Sequence, residues 1–239
     1  MTVHVQLELL DAANMVWAND LVAQHHYLHR PPDVRTMPEG YRILVRRDVD
    51  KRGHFLVGLL IFGRPQCTRL YPWFGSVEDV ATDRAEVTRW QVLNLARVWL
   101  DPRFQAGGPF CWQDYVPGYT DRRGLWRSTL ASTAIGLALD RVSFDYLVRR
   151  PPVFVDEPYR IEYVLSYCDT RLHLGTIYAA SGFELFRMNS DGIQTWRRRI
   201  APPAPEQDAV IRRLAAQSQR SKRIRAAREQ AGVQMELAG

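Results

Sequence analysis

Cysteine is scarce in this 239-residue chain: Cys67, Cys111 and Cys168 are odd in number, far apart, and form no C-x-x-C pair. That argues against a disulfide framework and against a zinc knuckle, and makes a reducing cytoplasm the expected compartment. Long apolar runs are missing as well. None approaches the roughly 20 residues that a bilayer span requires, so no membrane partner is expected. The opening MTVHVQLELLDAANM has no basic start, no apolar h-region and no small-residue cleavage site, so no secretory leader is expected. No internal repeat is found. The rest of the composition is that of an ordinary globular protein, 46% hydrophobic, 24% charged and 11% aromatic with seven Trp. Such a chain can bury a proper core, and wholesale disorder is not expected.

Charge of one sign is confined to one end. Residues 197–239 hold ten basic and four acidic side chains, which accounts for the whole net charge of +6, while residues 1–196 balance. A cationic tail on a neutral body suits a polyanion, because each phosphate it neutralises releases condensed counterions. A solvated helix that binds nothing is the plainer alternative, and both stay open at this point.

The spacing of Met15, Val16, Leu21 and Val22 predicts a helix from Leu10 to Tyr27, capped by Asp11 and ended before Pro31-Pro32. Residues 41–46 and 54–62 predict a hairpin around a polar turn, its second strand apolar on both faces and so central in a sheet. Residues 92–100 predict a buried strand, followed by a long loop over 101–125, a length that points to function in a compact domain. A helix is expected over 128–142 with Ser128 as its N-cap, then a strand over 161–167. A short helix over 174–180 ends at Ser181-Gly182. A hairpin follows, with strands 183–187 and 193–197 joined through Asn189–Gly192. The predicted fold class is α/β of the α+β sandwich type, a central mixed sheet flanked by helices over residues 1–200. A stiff Pro-rich linker and a basic helical tail follow over 201–239.

The element order and the run Tyr178-Ala179-Ala180-Ser181-Gly182-Phe183, a Y-x-x-x-G-F, resemble the GNAT-type acyltransferases. In that family the Tyr can act as general acid towards the departing thiolate. A closer resemblance, over roughly residues 10–197, is to the phage Mom proteins, GNAT-like DNA-modification enzymes. It is carried by His26-Tyr27, by Gly58–Arg64, by Leu95–Leu100, and by Leu165–Asp169 running into His173–Tyr178. The resemblance implies an enzyme that places an acetamido (carbamoylmethyl) group on the exocyclic amine of adenine in DNA and so protects phage DNA from restriction. It further implies an iron ion held by His26, Tyr27 and Asp169, and active-site or cofactor-pocket roles for Arg97, Ser132 and Tyr178. The donor is left open, a coenzyme A-linked group being one possibility, and so is the assembly, a homodimer being another. Three features depart from the pattern: Cys168 replaces the usual Ala, the GNAT pyrophosphate loop R/Q-x-x-G-x-G/A is absent, and residues 101–125 are inserted.

Each of these residues also has a plainer reading. Imidazole, phenolate and carboxylate together suit a metal with open positions, but His26 and Tyr27 can merely cap the first helix. Asp169 leaves the C-terminal end of a strand, where catalytic groups gather in open α/β sheets. Arg97, mid-strand, must meet an anion or be paired, and Glu162 is the structural candidate. Ser132 can bond the cofactor or its own helix, and Tyr178 can be a general acid or a core aromatic. Cys168 can add a thiolate or simply pack, and His173 can position a substrate group or bond Asp169. An enzyme acting on adenine must extrude the base and hold it against aromatic faces; Tyr71, Trp73, Phe74 and Trp112 are candidates, or are lids over the core. The Arg-rich strands and tail would hold the DNA backbone. Two other classes remain: an acetyl-CoA-dependent N-acetyltransferase of a small amine or protein, and a non-catalytic nucleic-acid-binding protein.

Overall fold

The architecture is that of a computed structural model describing residues 3–26, 28–33, 36, 38–47, 53–65, 91–104, 118–120, 126–128, 130–150 and 160–237. Tyr27, the four candidate stacking aromatics Tyr71, Trp73, Phe74 and Trp112, and most of the 101–125 insertion lie outside these residues. The chain divides into two compact units, residues 1–140 with 161–200, and residues 141–160 with 201–239. The boundary expected at residue 200 is therefore joined by a second one, which assigns the segment 141–160 to the tail.

The first unit is a seven-stranded sheet in the order β1-β2-β3-β4-β7-β9-β8. Its strands are β1 (Val3–Leu9), β2 (Glu39–Arg47), β3 (Phe55–Gly63), β4 (Val92–Leu100), β7 (Tyr163–Asp169), β8 (Glu184–Met188) and β9 (Ile193–Arg199). Neighbours are antiparallel except β4 and β7, which run parallel at mid-sheet. The short strands β5 (Gly118–Thr120) and β6 (Trp126–Ser128) pair separately. Three helices belong to this unit: α1 (Ala12–His25), α2 (Leu130–Leu139) and α4 (Thr176–Ala180). The α+β expectation, a mixed sheet flanked by helices, is met.

Local rules explain most of these elements. Asp11 caps α1 as expected, its carboxylate accepting the Asn14 N–H at 2.7 Å. The chain leaves that helix at His26, whose backbone is extended. β3 is buried from Val57 to Gly63, so both its faces are covered, as its unbroken apolar run predicts. Against one face lie Ala18 and Val22 of α1, with Leu10, Leu59 and Ile61 completing a dry cluster and Trp99 at its margin. One expectation fails: Ser128 is the last residue of β6 rather than the cap of α2.

In the second unit, α3 (Val142–Arg149) packs on α5 (Pro205–Leu237), with Tyr146, Leu147, Ile211 and Ala215 buried. α5 has 33 residues, about 50 Å at the α-helical rise. Among its described side chains, the buried ones lie in the first three turns, whereas Arg220, Arg223 and Arg225 are exposed. Asp208 anchors the start, accepting Arg212 at 2.8 Å and Arg160 at 3.3 Å. Among the described residues, no helix is long and apolar enough to cross a membrane.

Candidate active site

The parallel pair at mid-sheet opens. β4 and β7 are in register at Val92–Tyr163, Leu93–Val164 and Asn94–Leu165 and then diverge. The Ser166 hydroxyl donates to the Leu95 carbonyl at 3.1 Å, satisfying an acceptor at the point where the ladder ends. Beyond it, Ala96–Leu100 on one side and Tyr167–Cys168 on the other frame a cavity of about 330 Å³, also lined by His26, His173 and Tyr178. A second cavity of about 440 Å³, lined by Arg30, Asn94 and Arg97 among others, shares Ala96 and Tyr167 with the first. The two cavities thus have these two residues as a common wall.

His26 is buried, with 6% of its surface exposed. Burial pushes its imidazole down to about 4, and the positive charges of Arg97, His173 and His29 push the same way. The ring is therefore neutral at neutral pH. Its Nδ1 accepts the Leu28 N–H at 3.2 Å, which places the ring hydrogen on Nε2. His26 acts here as a neutral donor, not as a base. A histidine harder to protonate in the fold than in the unfolded chain contributes its full stability above about pH 6.5, and that stability is lost as pH falls towards 4. Between about pH 7 and about pH 4.5 the wild type is expected to lose on the order of 2 kcal/mol through this group. Thermal melts of His26→Asn should show a clearly smaller loss over that interval, and an equal loss would refute the assignment. The Asp169 carboxyl, held down to about 2 chiefly by its bonds to Arg171, titrates below this window.

Of the iron set implied by the resemblance, Tyr27 lies outside the described residues, and the other two, His26 and Asp169, are engaged with other partners. Asp169 presents both carboxylate oxygens to Arg171, at 2.9 Å to Nε and 2.6 Å to Nη2, and one of them also accepts the Arg171 N–H at 3.0 Å. A metal-bound imidazole donates its second ring N–H, whereas Nδ1 of His26 accepts one. Among the described residues, no three His, Cys, Asp or Glu side chains gather as a metal requires. These residues as they stand do not fit an iron ion, and no step below runs through one.

The other expected residues separate into two groups. Tyr178, from the short helix α4, lines the first cavity, its ring against Phe183 and Trp196 at centroid distances of 5.8 and 6.1 Å. Arg97 lines the second cavity; its guanidinium donates to the carbonyls of Ala96 at 2.6 Å, Arg30 at 3.3 Å and Pro31 at 3.5 Å. Glu162, expected to pair with it, instead accepts from Gln91 at 2.7 Å. Ser132 sits half-buried on α2 and is not among the residues lining either cavity. Cys168 takes its plainer reading: it is buried, its thiol is pushed up by that burial, and its Sγ donates to the His173 carbonyl at 3.3 Å. The contact between His173 and Asp169 shown here is made by the main chain, the His173 N–H donating to the Asp169 carbonyl at 2.9 Å.

Two wall residues escaped the sequence reading. Tyr167 borders both cavities, and Asn94 lines the second, its buried Oδ1 lacking a hydrogen-bond partner among the described residues. A lone amide inside the apolar run Val92–Leu100 was the available signal for Asn94. The strand arginines are held internally. Arg197 pairs with Glu184 and lies 4.3 Å over the Phe186 ring, and Arg198 donates to the Ser181 carbonyl.

No protein-family model matches the sequence, and no curated protein matches it. Solved structures resemble it at low identity. A domain from Methanocaldococcus jannaschii has 9% identity and a TM-score of 0.40 over 83% of this chain and 100% of its own. An acetyltransferase of the GNAT family from Listeria monocytogenes has 11% identity and a TM-score of 0.39 over 82% of this chain and 95% of its own. The CoA-dependent acyl-homoserine lactone synthase MesI has 13% identity and a TM-score of 0.37 over 88% of this chain and 95% of its own. The strand order and the open β4–β7 pair carry the description of this fold without them.

Proposed function

We propose that this protein is a GNAT-like group transferase that modifies DNA, adding an acetamido (carbamoylmethyl) group to the exocyclic amine of adenine. The observation that carries the reading is the opening between β4 and β7, beside which two cavities share Ala96 and Tyr167 as wall residues. A donor in the cavity of His26 and Tyr178 and an acceptor amine in the cavity of Asn94 and Arg97 would come together at that shared wall. Such placement converts a bimolecular step into an effectively unimolecular one. The amine's lone pair attacks the donor's methylene carbon, the bond from that carbon to the leaving group breaks, the Tyr178 hydroxyl gives its proton to that group, and the proton shed by the newly alkylated amine returns to the Tyr178 phenolate. The Nε2–H of His26, a neutral donor in a dry wall, stabilises charge that develops on the donor. A coenzyme A-linked donor fits this scheme, because a thiolate leaving group needs that proton.

DNA as acceptor is supported by the Mom-like segments and by the location of the charge. Arg197 pairs with Glu184 and Arg198 donates to the Ser181 carbonyl, whereas α5 carries the exposed Arg220, Arg223 and Arg225, whose charge suits phosphates. A chain ending after Gln219 keeps the buried Ile211 and Ala215 and loses Arg220, Lys222, Arg223, Arg225 and Arg228. Its logarithmic salt dependence of DNA binding is expected to flatten by up to about 4, at roughly 0.9 per phosphate contact. An unchanged slope would remove the helix from the interface.

The deciding measurement is mass spectrometry of nucleosides from the DNA of cells that express the chain. Deoxyadenosine carrying one carbamoylmethyl group is the expected product. Unmodified DNA alongside folded protein that acylates a small amine from acetyl-CoA would transfer the assignment to an N-acetyltransferase.

A further inference from the structure

The loop between β7 and α4, residues 170–175, is braced by its backbone groups and the Thr170 hydroxyl. The N–H groups of Leu172 and His173 both donate to the Asp169 carbonyl, at 3.0 and 2.9 Å. The Thr170 hydroxyl donates to the Gly192 carbonyl at 2.8 Å. Arg171 is bonded to Asp169, and Cys168 ties down the His173 carbonyl. Gly175 closes the loop in the left-handed conformation over the Trp196 ring.

The two leucines of this loop face water instead. Leu174 is 80% exposed, the highest value among the described large apolar side chains, and Leu172 is 54% exposed. A single exposed leucine means little. This one lies on the lip of the proposed donor cavity, two residues from a second exposed leucine, on a loop braced by at least five hydrogen bonds. The residues on either side of Leu172 are Arg171, whose side chain is 71% exposed, and His173. The sign of the Arg171 guanidinium matches a phosphate backbone.

We propose that Leu174, backed by Leu172, is a wedge that enters the base stack of duplex DNA and fills the gap left when the target adenine is extruded. The inference rests on the DNA-modification reading above. A duplex keeps the adenine amine inside its base pair, so an enzyme must take the base out and meet an unstacking cost of a few kcal/mol. Apolar side chains inserted between base steps offset that cost. A leucine held outward at the mouth of the site, on a loop too well bonded to fold it back, is the part such a step requires. Denatured DNA has no stack to open and no need of the wedge.

The test compares wild type and Leu174→Ala on sheared genomic duplex DNA and on the same DNA after heat denaturation, with modified deoxyadenosine as the readout. At this exposure the substitution leaves the fold intact. The expected result is a loss of roughly tenfold or more on duplex DNA and a change within about twofold on denatured DNA. Equal losses on the two forms, or none on either, would overturn the wedge while leaving the modification reading in place. A variant whose oligomeric mass in sedimentation also changes would assign the leucines to a contact between copies of the chain, again overturning it. A wild type that modifies neither form overturns the reading of function, and the wedge with it.

Discussion

Tyr178→Phe is expected to lower turnover by at least about 100-fold while leaving the melting temperature unchanged, because a positioned general acid contributes about 10²–10⁴. The phenol ring is a structural part of the sheet's end, packed edge-on to Phe183 at 5.8 Å and tilted against Trp196 at 6.1 Å. Phenylalanine keeps both contacts and removes the hydroxyl alone. A phenol holds its proton at neutral pH, so the wild type has the proton to give and the variant does not. If the hydroxyl acts in the chemical step, the loss falls on kcat, and donor binding measured in the absence of acceptor stays within about twofold. A donor with a better leaving group should recover part of the rate, since it departs without needing the proton. A variant as fast as the wild type would show that Tyr178 is core packing, and would leave the proposed scheme without an acid.

How much of this was legible in the sequence follows from the range over which each interaction acts. The cap at Asp11 and the short helix ending at Gly182 depend on neighbours a few residues away, the two-faced burial of β3 shows in its own unbroken apolar run, and each was read correctly. β1 was not assigned, although Val3, Val5, Leu7 and Leu9 alternate cleanly. An edge strand is settled by the ladder it joins, and β2 lies more than 30 residues on. The site itself is less local. Arg97 is satisfied by carbonyls 66 and 67 positions away, which no spacing rule links to it. The role of His26 turns on one backbone N–H two residues on, and on burial by elements distant in sequence. Asp169 enters the metal set through the resemblance and not through its spacing or its strand-end position. The arginine two positions later, which occupies both carboxylate oxygens, was in plain view as a competing partner. Residue types at the site could therefore be read from the chain, but protonation and pairing needed the fold.

Gly175→Ala should produce the largest change in stability, about 3 kcal/mol, with a fall of roughly 6–12 °C in melting temperature for a chain of this size. Two separate costs combine. Gly175 has φ +68°, a conformation that costs an L-residue roughly 1–2 kcal/mol. A β-carbon there would also lie 2.6 and 2.8 Å from Trp196 ring atoms and 2.9 Å from the Gln194 Oε1. The Trp196 ring has little room to yield: it is buried, its Nε1 donates to that same Oε1 at 3.1 Å, and it faces the Tyr178 ring. Gly53 separates the two costs. It has φ +89° but open space around its would-be β-carbon, so Gly53→Ala should lose only the backbone share, about 1–2 kcal/mol. The excess in Gly175→Ala then measures the contact with Trp196. Any displacement of that ring moves Tyr178, so Gly175→Ala should lose activity even well below its own melting transition, whereas Gly53→Ala should not. If the two variants melt together and work equally well, Trp196 does not hold the catalytic helix in place.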